Sequence, residues 1–160
     1  MTPPALFGIS VGFGLVVWGV VAALYIWPWL RSRPHADALR PVLLLHAFRF
    51  AGLAFLVPGV VSPDLPAAFA RPAAYGDLTA AILALFALAT LRTKFGTVAV
   101  WAFNILGSVD LLYAFYQGNR VGLVPGMQGA TYFIPTVFVP LLLITHWLIF
   151  KLLFRRDNKG

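Results

Sequence analysis

The sequence predicts an all-α integral membrane protein, a bundle of five transmembrane helices, on three observations. Of its 160 residues 61% are apolar and only 11% charged, with a mean hydropathy of +0.87, whereas an ordinary soluble domain carries about 25% charged residues. The apolar residues fall into five runs bounded by charge, Pro or Gly. Each run approaches the roughly 20 residues that cross about 30 Å of hydrocarbon as a helix. Five crossings leave little chain for anything else, so residues 1–154 are expected to form one membrane domain, followed by a basic cytoplasmic tail at 155–160.

The first run, 5–27, ends in Trp27-Pro28-Trp29 and lacks the basic start and small-residue cleavage site of a signal peptide, which predicts a retained helix. Gly8, Gly12 and Gly19, and separately Ser10 and Gly14, give it two small-residue stripes that admit another helix closely. The second run, 41–61, starts at Pro41, whose fixed φ suits the first helical turn, and ends at Pro58-Gly59. The third, 76–91, is the shortest at about 24 Å and, being rich in Ala, is expected mid-bundle. The fourth and fifth are 97–117 and 130–153; in the fifth, Pro135 and Pro140 release the carbonyls of Thr131 and Thr136. Between the second and third, residues 62–75 carry Pro63, Pro66 and Pro72 and predict a short interfacial helix capped by Asp64. Between the fourth and fifth, residues 118–129 read as a Gly-rich surface loop with enough apolar residues to fold back over the bundle mouth.

Orientation follows from charge. Nine basic residues (Arg31, Arg33, Arg40, Arg92, Lys94, Lys151, Arg155, Arg156 and Lys159) fall on one side of the five runs, and Arg71 and Arg120 on the other. The positive-inside rule then puts the N-terminus outside and the C-terminus in the cytoplasm of an inner-membrane protein. Trp27, Trp29, Trp101 and Trp147 gather toward the cytoplasmic face, and Tyr75, Tyr113, Tyr116 and Tyr132 toward the outer one, as aromatic belts do. The net charge of +7 is thus a topology signal, and no nucleic-acid partner is expected.

Ionisable groups within apolar spans are costly and mark function by default. Counted at about 1.5 Å per residue, His46, Arg49, Asn104 and His146 share a layer roughly 8–12 Å from the cytoplasmic edge, while Asp110 lies near 20 Å. These five form the expected ligand-binding or proton-relay site. Asp77 at the lip of the third run, with Ser108, Tyr113, Thr131 and Thr136, are possible outer contributors. His46 and Arg49, three apart, share a helix face continued by Gly52, Leu53 and Leu56. Arg49 can reach a turn outward to neutralise Asp110, and Asn104 can hydrogen-bond a histidine.

Several functions remain open on these residues. One is binding of a small or lipid-like ligand, or conduction of protons or solute, for which histidine titrates in the right range. A second is haem b ligation by His46 and His146, since bis-imidazole ligation across two helices holds haem in membrane cytochromes. A third is a non-catalytic accessory subunit, meeting a second copy or a membrane partner through the Gly-rich first helix, with lipids as further partners. No catalytic set stands out, because the chain lacks Glu and Cys and its carboxylates show no close pair at one depth. Two histidines without a nearby carboxylate also predict no divalent-metal site.

Overall fold

Five helices, each long and apolar enough to cross a membrane, make up most of residues 1–155, the part of the chain that the computed structural model describes. No β-strand occurs among the described residues. Apart from Arg155, the expected basic tail lies outside them.

Helix α1 (Pro3–Arg31) runs through Trp27-Pro28-Trp29 rather than ending at Trp27. Pro28 has no N–H to offer and its ring crowds the carbonyl of Leu24, so the coil widens into a π-turn at Ala22–Ile26 and closes again. At its far end Arg155 donates to the carbonyls of Arg31 and Arg33, each at 3.1 Å.

Helix α2 (His35–Leu56) starts well before Pro41, which therefore lies inside it and not at its first turn. The polar-looking segment preceding Pro41 hides an inward face, Ala38 and Leu39, both completely buried. From Phe48 to Leu56 the helix tightens into a 3-10 coil of nine residues, long for that conformation. At about 3.0 residues per turn instead of 3.6, Arg49, Gly52 and Phe55 align in one buried row. The face expected to continue through Leu53 and Leu56 is turned accordingly, and Leu56 is exposed.

Helix α3 (Ala67–Thr90) replaces two expected elements, the interfacial helix and the short third span, by one continuous helix of 24 residues. Asp64 does not cap it: the residue before the helix is Pro66, and the Asp64 N–H donates to Ser62 Oγ. Pro72, in the second turn, frees the carbonyl of Ala68, and Gln117 Nε2 donates to that carbonyl at 3.4 Å. Buried alanines, among them Ala74, Ala80, Ala84 and Ala87, let both α2 and α4 pack closely against α3, whereas α5 meets three others, α1, α2 and α4.

Helices α4 (Gly96–Arg120) and α5 (Ile134–Phe154) complete the bundle, with a π-turn at Ile134–Phe138 that contains Pro135 and ends just before Pro140. A 3-10 segment, Pro125–Tyr132, folds back over the bundle end. It is pinned by Ser62 N–H to the Met127 carbonyl (3.0 Å) and Ala130 N–H to the Val60 carbonyl (2.9 Å). Gly129 turns there at φ +51°, with its α-carbon pressed against the Val60 carbonyl, where a side chain has neither the conformation nor the room. At the opposite end Leu39, Leu43, Val100, Phe103, Ile149 and Leu152 pack into a plug from which solvent is excluded.

α1 attaches chiefly to α5. Its Gly14 lies against the Thr136 carbonyl that Pro140 released, Trp18 Nε1 donates to the Val137 carbonyl (3.0 Å), and Ser10 bonds the Tyr132 hydroxyl (3.0 Å). The other stripe, Gly8, Gly12 and Gly19, borders open space. Gly14→Ala is therefore expected to lower thermal stability in detergent by about 1–3 kcal/mol through overpacking against backbone. Gly12→Ala, meeting nothing, should leave the unfolding midpoint unchanged or slightly raised.

Candidate functional site

The 3-10 row of α2 points Arg49 into the middle of the bundle, where its side chain has no solvent exposure. A guanidinium is planar, permanently charged and carries five N–H donors, so its burial demands acceptors in several directions. Nε donates to Asp77 Oδ1 on α3 at 2.8 Å. Nη2 donates to Asp110 Oδ2 on α4 at 2.5 Å, and Nη1 donates to the Gly107 carbonyl at 3.1 Å. Nη1 also lies 3.4 Å from His146 Nε2 on α5. One side chain thus ties four helices together.

The acceptors get this close because three helices offer a glycine where they face the cluster. A β-carbon on Gly52 would overlap the Asp77 carboxylate, one on Gly76 would overlap that of Asp110, and one on Gly107 would stand 2.7 Å from the His146 ring. Backbone without side chain is what makes room for charged side chains here.

The two buried histidines lie against each other at the side of Arg49 facing the apolar plug, ring centroids 4.2 Å apart and planes tilted by 46°, with Phe103 against both. Asn104 holds His146 at two points. Its Nδ2 donates to the His146 backbone carbonyl (3.2 Å), so its Oδ1 is the atom facing His146 Nδ1 at 2.7 Å. That carboxamide oxygen can only accept, which puts the imidazole proton on Nδ1 and leaves the Nε2 lone pair to face Arg49. His46 Nε2 meets Thr145 Oγ1 at 3.0 Å, while His46 Nδ1 is buried without a hydrogen-bond partner among the described residues.

This arrangement does not fit haem. An iron porphyrin between the imidazoles needs them separated by two metal–nitrogen bonds with the macrocycle between, whereas these rings are in contact and three of their four nitrogens face other protein groups. Among the described residues no group of three or more His, Cys, Asp or Glu could hold a metal ion.

On the other side of Arg49 the helices part to leave a cavity of about 270 Å³. Asp77 and Asp110 close one end. Phe55, Phe69, Phe115 and Ile134 are among its walls, Phe7 of α1 reaches in from the side, and Leu123, Pro125 and Gln128 come from the folded-back segment. Gln128 is 1% exposed, and its Oε1 has no hydrogen-bond partner among the described residues.

The structure brings His46, Arg49, Asn104, Asp110 and His146 into one connected cluster, not two layers, since the Arg49 side chain spans the interval to Asp110. Asp77, expected at a helix lip, is central instead. It pairs with Arg49, and with Asp110 it makes the carboxylate pair that residue depth failed to show, because the true start of α3 puts it well inside the helix. The other four expected outer contributors stay out of the cluster. Ser108, Thr131 and Thr136 donate to carbonyls of their own local backbone, and Tyr113 is exposed against Tyr116. Thr145 and Gln128 are additions: the first sits beside His146 at the depth of His46, and the second lies in a loop whose glycines masked it.

The sequence was also compared with known proteins. A family described as a domain of unknown function, DUF8737, matches residues 6–154. The chain belongs to this family. No characterised protein and no solved structure matches it. The matched stretch takes in the whole cluster and the cavity of this DUF8737 chain.

Removing Arg49 leaves two buried carboxylates without their cation. Arg49→Met is expected to cost about 3–5 kcal/mol of stability, the usual result of breaking a buried ion pair on one side. Adding Asp77→Asn and Asp110→Asn to Arg49→Met should recover most of it, as read by thermal unfolding in detergent.

Proposed function

We propose that the chain is a multi-pass inner-membrane protein, N-terminus outside and C-terminus cytoplasmic, that binds a small amphipathic molecule in the cavity beside Arg49. The observation that carries this reading is the cavity itself: mostly apolar walls of about 270 Å³ ending on two carboxylates held by a buried Arg. Largely apolar pockets with a few convergent polar groups are the usual form of a small-molecule site. The nine-to-two distribution of basic residues supports the orientation; on that reading the cavity belongs to the outer half and the apolar plug to the cytoplasmic half. A plug of fully buried side chains favours binding over an open conduction path.

A second reading, a non-catalytic subunit of a larger membrane assembly, rests on α1, whose open stripe of Gly8, Gly12 and Gly19 allows close approach of another helix. The two readings are compatible, since that stripe and the cavity use different surfaces.

The absence of Cys makes orientation simple to test with single-cysteine variants. Lys94→Cys, exposed between α3 and α4, should react with an impermeant maleimide only after the cytoplasmic face is opened. Val124→Cys, exposed between α4 and α5, should react in intact cells; the reverse pattern would invert the topology. For binding, the purified chain in nanodiscs is expected to take up 2-phenylethanol saturably by ligand-observed NMR. Ala114→Trp, which fills the cavity from α4, should weaken that uptake by about tenfold or more. Uptake unchanged in Ala114→Trp would place the molecule elsewhere and end this reading.

A further inference from the structure

We infer that the cavity's ligand is a small organic cation, an amine on an apolar body of about ten non-hydrogen atoms, carrying a second hydrogen-bond donor at its far end. The inference rests on reading the cavity as a ligand site and specifies what it selects.

Charge balance gives the first part. Arg49 is one cation facing two carboxylates, so with both ionised the cluster keeps one negative charge in excess, inside an apolar surround where uncompensated charge is costly. The guanidinium is fully enclosed, and the Asp110 side chain is 21% exposed and lines the cavity together with Asp77. An incoming molecule therefore meets carboxylate oxygens and not the arginine. Ionised carboxylates only accept hydrogen bonds, so an anion is repelled, a neutral acceptor finds no donor, and an ammonium finds both charge and acceptors.

The second part is independent of the first. Gln128 lines the same space, and its buried Oε1 has no hydrogen-bond partner among the described residues. A buried acceptor left unpaired costs free energy that a ligand hydroxyl or N–H recovers. It lies away from the carboxylates: along α3 the lining residues are Phe69, Ala73 and Asp77, about 12 Å of helix, and Gln128 belongs to the segment folded over the bundle end, not to the inner end that Asp77 marks. A ligand satisfying both ends is donor-tipped twice, charged at one end and neutral at the other.

Size and walls supply the rest. A cavity of roughly 150 Å³ accepts a benzene, which scales to about ten non-hydrogen atoms for the space of about 270 Å³ here. Phe7, Phe55, Phe69 and Phe115 offer ring faces to an aromatic or aliphatic body and can attract a cation as well.

Three probes of nearly one shape separate the two claims: tyramine, with both groups; 2-phenylethylamine, without the hydroxyl; and 4-(2-hydroxyethyl)phenol, without the charge. Titrated into the full chain in nanodiscs, tyramine is expected to bind about tenfold more tightly than either of the others, the scale of one hydrogen bond to a charged or otherwise unpaired group. Gln128→Leu should abolish the preference for tyramine over 2-phenylethylamine. Asp110→Asn, which keeps an oxygen for Arg49, should abolish its preference over 4-(2-hydroxyethyl)phenol. The probe series on the unaltered chain decides the matter even where a variant fails to fold. If the neutral phenol binds as well as tyramine while all three remain sensitive to Ala114→Trp, the cationic class is overturned and the cavity reading stands. If none of the three is sensitive to Ala114→Trp, both fall together.

Discussion

A single guanidinium sets the terms for this bundle. Burying Arg49 removes its hydration shell, and the protein replaces it with acceptors drawn from α3, α4 and α5. Much of the local geometry serves that replacement. The 3-10 stretch of α2 aims the side chain, Gly52 and Gly76 admit the two carboxylates, and Gly107 admits both the guanidinium and the imidazole of His146. Asn104 fixes the imidazole from behind, so that the lone pair and not an N–H faces the arginine. α1 stands outside this scheme and joins the bundle along α5, through carbonyl groups that the proline pattern of α5 helps to expose.

The cluster divides the bundle into unlike halves. Toward the connections α1–α2 and α3–α4, aliphatic side chains and Phe103 pack into a fully buried core. Toward the connections α2–α3 and α4–α5, Phe55 and Phe69 pack edge to face, ring centroids 5.5 Å apart, and with Phe115 and Ile134 they wall the cavity. The ion pairs sit at the boundary and form the cavity's polar end, which is why a network that could have been only structural also presents chemistry to a guest. Charges that face packed aliphatic groups have nothing further to do; charges that face a void can select what fills it.

The five helices were legible because the apolar runs are long and their boundaries are marked by charge and Pro. Helix limits were not, and the errors have one cause. Pro41 was read as a helix start, and Pro63, Pro66 and Pro72 as marks of a separate interfacial helix, yet Pro41 and Pro72 lie inside helices, and Gln117 takes up the Ala68 carbonyl that Pro72 frees. Misplacing the start of α3 moved Asp77 to the rim and hid the carboxylate pair. The inner residues His46, Arg49, Asn104 and His146 were found because each is an ionisable or amide group inside a long apolar run, a signal that survives the misplaced start of α2. A 3.6-residue period carried the Arg49 face to Leu56 instead of Phe55, and nothing in the local composition announces the tighter coil. Gln128 stayed hidden because its burial comes from a tertiary contact between two connections, Val60 with Gly129 and Ala130.

The tighter coil has a second consequence, one of length. A 3-10 helix rises about 2.0 Å per residue against about 1.5 Å for an α-helix, so nine residues gain roughly 4.5 Å of axial reach. α2 thereby delivers the chain higher up the bundle than the same residues could as an α-helix. The residues so spared are free to form the strap from Val57 to Ser62 that meets the segment folding back from α4. The stretch that orients the arginine at the bottom of the cavity is thus also the spacer that lets the chain close its top.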